Sequence, residues 1–520
     1  MSEAGPAMNT AARPRADNAD TADTTISAVE DFDLLIVGAG ISGLGAARHL
    51  QQQCPGKRYL ILESQAGHGG TWRTHRYPGI RSDSDLFTFG YRFKPWMGKP
   101  IATAAEILAY LGEVIAENQL APHIRYRHAI TAARWSSAAQ RWTVEATRPG
   151  ADGITPETLR FTARFLWMCQ GYYRHAEGYT PDWPGMAQFK GRTVHPQAWP
   201  DDLDLAAKQV VVIGSGATAA TLIPAIAGQC AHATMLQRSP TFFITGRNAN
   251  ELADTLRQLD IPAEWTHEIV RRKVLFDQAH FTQRCLAEPE QVRQELLAGV
   301  RNALGPGLEA EVDRHFNPRY RPWQQRIAFV PDADLFKALR AGQASVVTDQ
   351  IEGFTETGIQ LQSGQHLAAD VIVTATGFHL NVLGDIAFEI DGQALDFADT
   401  VTWRGALFTG VPNLAWVFGY LRASWTLRAD LMGDFVCRLL SHMDARGARV
   451  VTPTLRPQDQ GMALAPWITA ENFNPGYLNR GVALLPRQGD HLPWLHSQDY
   501  ASERHALPAA DLDDGSLHYR

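Results

Sequence analysis

Cysteine is scarce in this chain: five in 520 residues, at positions 54, 169, 230, 285 and 437. No C-x-x-C occurs among them, which argues against a redox dithiol or a zinc knuckle. An odd, scattered set of thiols suits a reducing cytoplasm, and that is the compartment expected. No stretch reaches the roughly 18 apolar residues that a membrane span requires. No basic run of useful length appears, and a formal net charge of -7 argues against a nucleic-acid surface. The histidines lack metal-ligand spacing such as H-x-x-x-H, so no metal is expected. The first thirty residues are rich in Ala, Thr and Asp and carry no apolar core of a signal peptide, so residues 1–30 are expected to form a disordered tail.

What is present is a long chain of ordinary globular composition, 45% hydrophobic and 20% charged. It is too long for one hydrophobic core, and two or three domains are expected. An apolar strand over Asp33–Val37 runs into Gly38-Ala39-Gly40-Ile41-Ser42-Gly43 and a helical stretch from Leu44 to Leu50. A second strand, Arg58–Leu62, ends at Glu63. The same unit recurs: strand Gln209–Ile213, then Gly214-Ser215-Gly216-Ala217-Thr218-Ala219, a helix, and strand Ala233–Leu236 leading to Gln237-Arg238. The fold class predicted is therefore α/β, with two Rossmann-like dinucleotide-binding domains. Residues 31–155 are assigned to the first domain and 156–377 to the second. A polar, helical insertion falls at about 245–325, and 378–520 return to the first domain. Short strands are expected at Ser345–Thr348, Phe354–Thr357 and Asp370–Thr374.

In each loop the first glycine (Gly38, Gly214) makes the tight turn and the second (Gly40, Gly216) lets the backbone approach a pyrophosphate at the helix N-terminus. The third small residue (Gly43, Ala219) lets the helix pack on the sheet. Glu63, 25 residues after Gly38, is placed to accept hydrogen bonds from ribose hydroxyls and would repel a 2′-phosphate. The first unit should hold the adenosine of FAD. Arg238, 24 residues after Gly214, can pair with a 2′-phosphate, so the second cofactor should be NADPH. Two such folds imply electron transfer from NADPH to flavin. Disulfide reductases share the plan, but they need a cysteine pair that this chain lacks.

Phe189-Lys190-Gly191-Arg192-Thr193-Val194-His195-Pro196-Gln197-Ala198-Trp199-Pro200 resembles the F-x-G-x-x-x-H-x-x-x-W-P fingerprint of the Baeyer–Villiger monooxygenases, class B flavoprotein monooxygenases, with every fixed position filled. Gly69-Gly70-Thr71-Trp72, Arg76-Tyr77-Pro78-Gly79 and Asp83 are similar to that family's flavin-side motif. Ile80 to Asp85, Gln237 to Thr241, Pro322 to Arg326 and Ala423 to Leu427 resemble the subgroup of the ethionamide-activating monooxygenases. The likeness runs from about residue 31 to beyond 430.

The resemblance implies that NADPH-reduced FAD and dioxygen form a C4a-peroxyflavin that converts ketones to esters or lactones. Sulfide oxidation is the natural companion activity. It implies Arg326 as the active-site cation and Asp83 as the carboxylate that orients it. Asp85 is an equally good local candidate, and motif spacing favours Asp83. His195 is expected to couple domain movement to NADPH binding. Thr71, Trp72, Thr218, Thr376 and Gly377 are expected at the cofactors, and Ser424 and Trp425 at the substrate, a small ketone or thioether. Gln325 departs from family members with lysine there, leaving phosphate contacts more dependent on Arg238. Cys169, in the Cys169-Gln170-Gly171 crossing, reads as a small buried residue. Three alternatives stay open: oxygenation at sulfur or nitrogen, an NADPH oxidase releasing hydrogen peroxide, and a flavin-bound regulatory protein. Trp199 favours ketones, since relatives acting on nitrogen or sulfur carry Phe or Tyr at the corresponding position.

Overall fold

The computed structural model describes residues 29–150, 152–469, 471 and 473–520, so the expected tail lies outside the described residues up to residue 28. Leu34 to Val37 are four consecutive buried residues, as in a strand covered on both faces. This strand, β1 (Glu30–Val37), leads into α1 (Ile41–Gln53) and β2 (Tyr59–Leu62), which pairs with β1 in parallel. β3 (Ile124–Arg125) lies outside β2. β4 (Ala129–Ser136), β5 (Arg141–Pro149) and β6 (Pro156–Met168) then run antiparallel to one another, and β6 lies parallel to β1.

This antiparallel layer corrects the expected boundary at 155/156. β6 begins at Pro156 but pairs with β1 from Glu30–Phe161 to Val37–Met168, so the chain leaves the first sheet only after Met168. The reason is its pattern: Leu159, Phe161, Ala163 and Phe165 are buried while Arg160 and Arg164 are exposed, the period-two signature of a half-covered strand.

The second sheet is entirely parallel. It contains β7 (Arg192–Val194), β8 (Gln209–Ile213), β9 (His232–Gln237), β10 (Ala344–Thr348) and β11 (Val371–Thr374), in the order β10-β9-β8-β11-β7, with α2 (Ala217–Ile226) following β8. Helices Glu251–Gln258, Ala263–Ala287, Pro289–Leu304 and Glu309–His315 are inserted after β9. The parallel strands Phe243–Gly246 and Ala328–Pro331 frame them. The strand expected at Phe354–Thr357 instead spans Ile351–Thr355, because Glu356 and Thr357 form the hairpin turn to Gly358–Leu361.

After Phe378 the chain rejoins the first sheet. Ala387–Ile390 pairs with β4, Leu414–Trp416 pairs with β6, and α3 (Trp425–Arg446) packs along α1. The tryptophans mostly serve these cores, Trp142, Trp167, Trp403 and Trp416 being fully buried.

Where α1 meets α3, Gly433 leaves room for His49: a Cβ there would lie 2.5 Å from the imidazole. The ring sits 3.4 Å from Asp430 and 3.1 Å from Asp434. Burial disfavours its charge, but the two carboxylates outweigh burial and raise its pKa to about 9. A folded-state value above the unfolded one of about 6.5 stabilises fully at lower pH and is lost as pH rises through 9. The ceiling is about 3 kcal/mol, lowered in practice because Asp434 is half exposed. His49→Gln should therefore lower the thermal midpoint at pH 6 and cost little at pH 10. An equal loss at both pH values would contradict this account.

Candidate active site

The two glycine loops open onto one continuous cleft of 1030 Å³, at the top of the range usual for ligand pockets, about 300–1,000 Å³. In the first loop Gly38 takes φ 99°, and a Cβ there would lie 2.9 Å from the Cys169 carbonyl oxygen. A Cβ on Gly43 would come within 1.9 Å of the Gly38 oxygen. Gly43 is thus the packing glycine, and it lies behind the cleft lining. Gly40 faces Gly70 across the opening, with Thr71 and Trp72 starting the short helix beyond. Glu63 closes the far end. One carboxylate oxygen accepts from the Ala39 amide at 2.7 Å and the other from Gln65 at 2.7 Å. The second oxygen also accepts from the Ser64 hydroxyl at 3.3 Å, so the oxygen facing Ala39 is the one that retains a lone pair for a ribose hydroxyl. Burial pushes its pKa up, and the amide donors work against that.

In the second loop Gly214 takes φ 132°, and a Cβ there would meet the Ala375 oxygen at 2.4 Å. Gly216 has nothing within 4 Å, and Thr218 lines the cleft while Ala219 is buried against the sheet. Arg238 is exposed on the cleft wall without an ion-pair partner among the described residues. Thr376 and Gly377 complete the wall: Thr376 donates to the Tyr179 carbonyl at 2.5 Å, and Tyr179 N–H donates to Gly377 O at 3.0 Å.

The linker fingerprint is the edge of this sheet. Phe189 packs on Phe354, and Gly191 passes so close to Asp370 that a Cβ would lie 2.3 Å from its oxygen. Arg192–Val194 is β7, and Trp199 rests on the second core. His195 lies outside the cleft lining. Its Nε2–H donates to Gly377 O at 3.1 Å, while Nδ1 accepts from Gln197 N–H at 3.1 Å. Burial lowers its pKa to about 4, so the ring stays neutral.

Arg326 and Asp83 meet at the centre of the cleft. Nε lies 2.7 Å from Asp83 Oδ2, and Nη2 donates to Asp83 Oδ1 at 2.8 Å and to Ser84 Oγ at 3.0 Å. Nη1 donates to Leu421 O at 3.2 Å. Three of the guanidinium's five N–H groups donate hydrogen bonds and Nε is in ion-pair contact with Asp83, which leaves one N–H on Nη1 without a partner among the described residues. Burial opposes the charge, but Asp83 outweighs it and raises the pKa further. Trp323 delivers the arginine from a turn with φ 61°, a conformation rare outside glycine. Asp85 does not reach the arginine; it caps the helix Leu86–Phe89 by accepting from Phe87 N–H at 2.8 Å.

Trp425 lines the cleft, but Ser424 does not. It is 2% exposed, and its hydroxyl is bound to Thr88 at 2.7 Å behind the wall. Sequence motifs alone did not point to Tyr172, Tyr173, Tyr477 and Arg480, all of which line the cleft. Tyr172 and Tyr173 directly follow the Cys169-Gln170-Gly171 crossing, so adjacency was an available signal. Tyr477 and Arg480 come from a distant short helix and left none. The site fits two dinucleotides: both loops lack Cβ atoms where phosphates approach, and His75 Nε2 and Gln170 Oε1 on the wall are buried without partners.

Two dinucleotide folds sharing one cleft, with a paired arginine between them, define a two-cofactor flavoprotein oxidoreductase. Residues 36–95 match the NAD(P)-binding Rossmann-like domain, and 100–252 match the flavin-binding monooxygenase-like family. The chain is 45% identical over 493 residues to the FAD-containing monooxygenase EthA of Mycolicibacterium smegmatis, covering 94% of this chain and 97% of that protein. It is 43% identical over 491 residues to the probable FAD-binding monooxygenase AlmA of Acinetobacter baylyi, covering 94% and 96%. A solved oxidized steroid monooxygenase bound to NADP is similar at 26% identity, with a TM-score of 0.67 over 82% of this chain and 88% of that one. The chain belongs to the FAD-containing monooxygenases. No helix among its described residues is long and apolar enough to cross a membrane.

The loop geometry separates the two nucleotide sites experimentally. Gly43→Ala should purify with most of its FAD lost, since the new methyl group collides with backbone, whereas Gly214→Ala should keep FAD and lose affinity for NADP. Full FAD content in Gly43→Ala, measured by absorbance after denaturation, would contradict the packing argument.

Proposed function

We propose that this monooxygenase oxidises small ketones to esters or lactones in a cytoplasmic setting, with thioethers as secondary substrates. FAD lies along the first loop and NADPH along the second. The observation that carries the reading is the Arg326–Asp83 pair facing the cleft with one guanidinium N–H unused.

Glu63 holds the ribose of FAD through its remaining acceptor site, and Arg238 takes the 2′-phosphate of NADPH. Bound FAD, reduced by NADPH, supplies the activation of dioxygen. Arg326 supplies a cation that does not titrate, half-buried and aimed by Asp83, Ser84 and Leu421. Such a donor stabilises negative charge on reacting oxygen without reorganising at the moment of reaction. His195 stays neutral above its lowered pKa of about 4 and so acts by position. It ties the linker to the Gly377 turn, and movement of the second unit is transmitted there. The Trp at the end of the linker fingerprint, Trp199, supports ketones over nitrogen centres.

Arg326→Ala should leave NADPH-driven bleaching of the flavin intact and reduce ester formation about 100- to 1000-fold, the usual cost of removing such a donor. Ester formation at the wild-type rate would overturn the assignment. Arg238→Ala should weaken NADPH about 10- to 100-fold and leave NADH unchanged, as expected for loss of charge-assisted hydrogen bonds. Equal losses for both nucleotides would place the 2′-phosphate elsewhere.

A further inference from the structure

Three phenols converge beside Arg326. The hydroxyls of Tyr172 and Tyr173 are hydrogen-bonded to each other, and their rings lie 3.9 Å apart. The Tyr477 ring closes the group at 6.0 Å from Tyr172 and 5.5 Å from Tyr173. All three line the cleft, and Tyr172 and Tyr477 sense the charge of Arg326. The wall around them is hydrocarbon. Trp425 stacks on Tyr172 at 5.0 Å and 9°, Phe418 lies 5.1 Å from it, and Phe378 packs on Tyr173 at 4.4 Å. Burial raises the pKa of all three phenols, which therefore remain neutral O–H donors.

Donor arithmetic points at a ligand. The Tyr172–Tyr173 hydrogen bond uses one of the three phenolic O–H groups, so at least one O–H in the group is left for a ligand. Arg326 likewise has one N–H unused. Donors in an aromatic pocket need an acceptor, and leaving one unmet forfeits its lost hydration with nothing in return. A ketone oxygen, which only accepts and has two lone pairs, satisfies both at once.

We propose that the Tyr172, Tyr173 and Tyr477 hydroxyls, which share the cleft with the free N–H of Arg326, form the subsite that holds the carbonyl oxygen of a ketone substrate. The substrate's hydrocarbon lies against Trp425 and Phe418. This rests on the ketone reading above and deepens it. An oxygen at the peroxide level, which dioxygen and FAD reduced by NADPH would supply, would attack the carbonyl carbon, and the electron pair of the C=O bond would move onto the carbonyl oxygen. That pair would return as one C–C bond of the ketone shifts to the inserted oxygen and the O–O bond breaks. The second oxygen atom would leave at the level of water, with NADPH as the reductant. The phenols keep their protons throughout; their hydrogen bonds strengthen while the charge is present. A thioether has no oxygen to place, so this subsite makes the enzyme prefer ketones over thioethers of the same shape.

The test uses FAD-loaded enzyme carrying the double variant Tyr172→Phe/Tyr173→Phe and, separately, Tyr477→Phe, which keep the rings and the packing. Ketone binding is read without NADPH from the perturbation of flavin absorbance. Turnover is read as kcat/KM for an aryl methyl ketone and for the matching aryl methyl thioether. The proposal expects weaker ketone binding and a fall of about tenfold per lost hydroxyl in ketone kcat/KM, with a smaller fall for the thioether. The ratio between the two substrates should therefore drop. An unchanged ratio, with wild-type enzyme forming ester, would overturn the subsite and leave the ketone reading standing. Wild-type enzyme that oxidises thioethers and no ketone would overturn both. If the double variant does not retain FAD, Tyr477→Phe reports the same ratio alone.

Discussion

A half-buried guanidinium is held in one orientation only by fixed partners, and in this chain Arg326 is paired across two structural units. Its partner Asp83 follows the first glycine loop, while the arginine itself ends the helical insertion of the second unit. Removing either would leave the other charge poorly solvated, so the two units are held in a relation that keeps both at the cleft. The Leu421 carbonyl adds a third contribution from the segment that returns to the first sheet. A cation assembled from three separate stretches of chain is oriented only when all three are in place. The junction between the nucleotide units is therefore also the reactive centre.

A second buried pair supports that arrangement from behind. Arg428, fully buried in α3, meets Glu503 at 2.9 Å and donates to the carbonyls of Phe418, Gly405 and Arg404. Glu503 also accepts from the Tyr420 hydroxyl. Gln498, from the same C-terminal stretch, accepts from Leu421 N–H at 3.1 Å and donates to Gly419 O at 3.2 Å. The C-terminal residues thus brace the turn at 419–421, whose carbonyl orients Arg326. These contacts carry the dependence of the site on distant chain: the last elements of the sequence determine how firmly the central cation is held.

Much of this was legible in the sequence where backbone geometry dictates residue type. Gly38, Gly43 and Gly214 stand where a Cβ would strike a carbonyl oxygen, and the apolar strands before them are β1 and β8. Asp83 and Asp85 both suit a turn, and motif spacing favours Asp83. The structure agrees: Asp85 caps a helix and Asp83 reaches the arginine. Buried Trp142, Val144 and Ala146 alternate with less buried neighbours in β5, a pattern the sequence carries but that the dominant nucleotide motifs overshadowed. Of the two residues expected at the substrate, Trp425 lines the cleft and Ser424 does not, because the start of α3 turns Trp425 inward and Ser424 toward Thr88. Tyr477 reaches the site from three hundred residues beyond Tyr172 and Tyr173, and no local pattern announces it.

The central claim is that the cleft transfers one oxygen atom from dioxygen into a ketone. The direct measurement supplies NADPH, a ketone and isotopically heavy dioxygen, then weighs the product by mass spectrometry while NADPH loss and hydrogen peroxide are followed. The account predicts an ester carrying one heavy oxygen, formed in step with NADPH consumption. Hydrogen peroxide formed in step with NADPH, and no labelled product from any ketone, would contradict it.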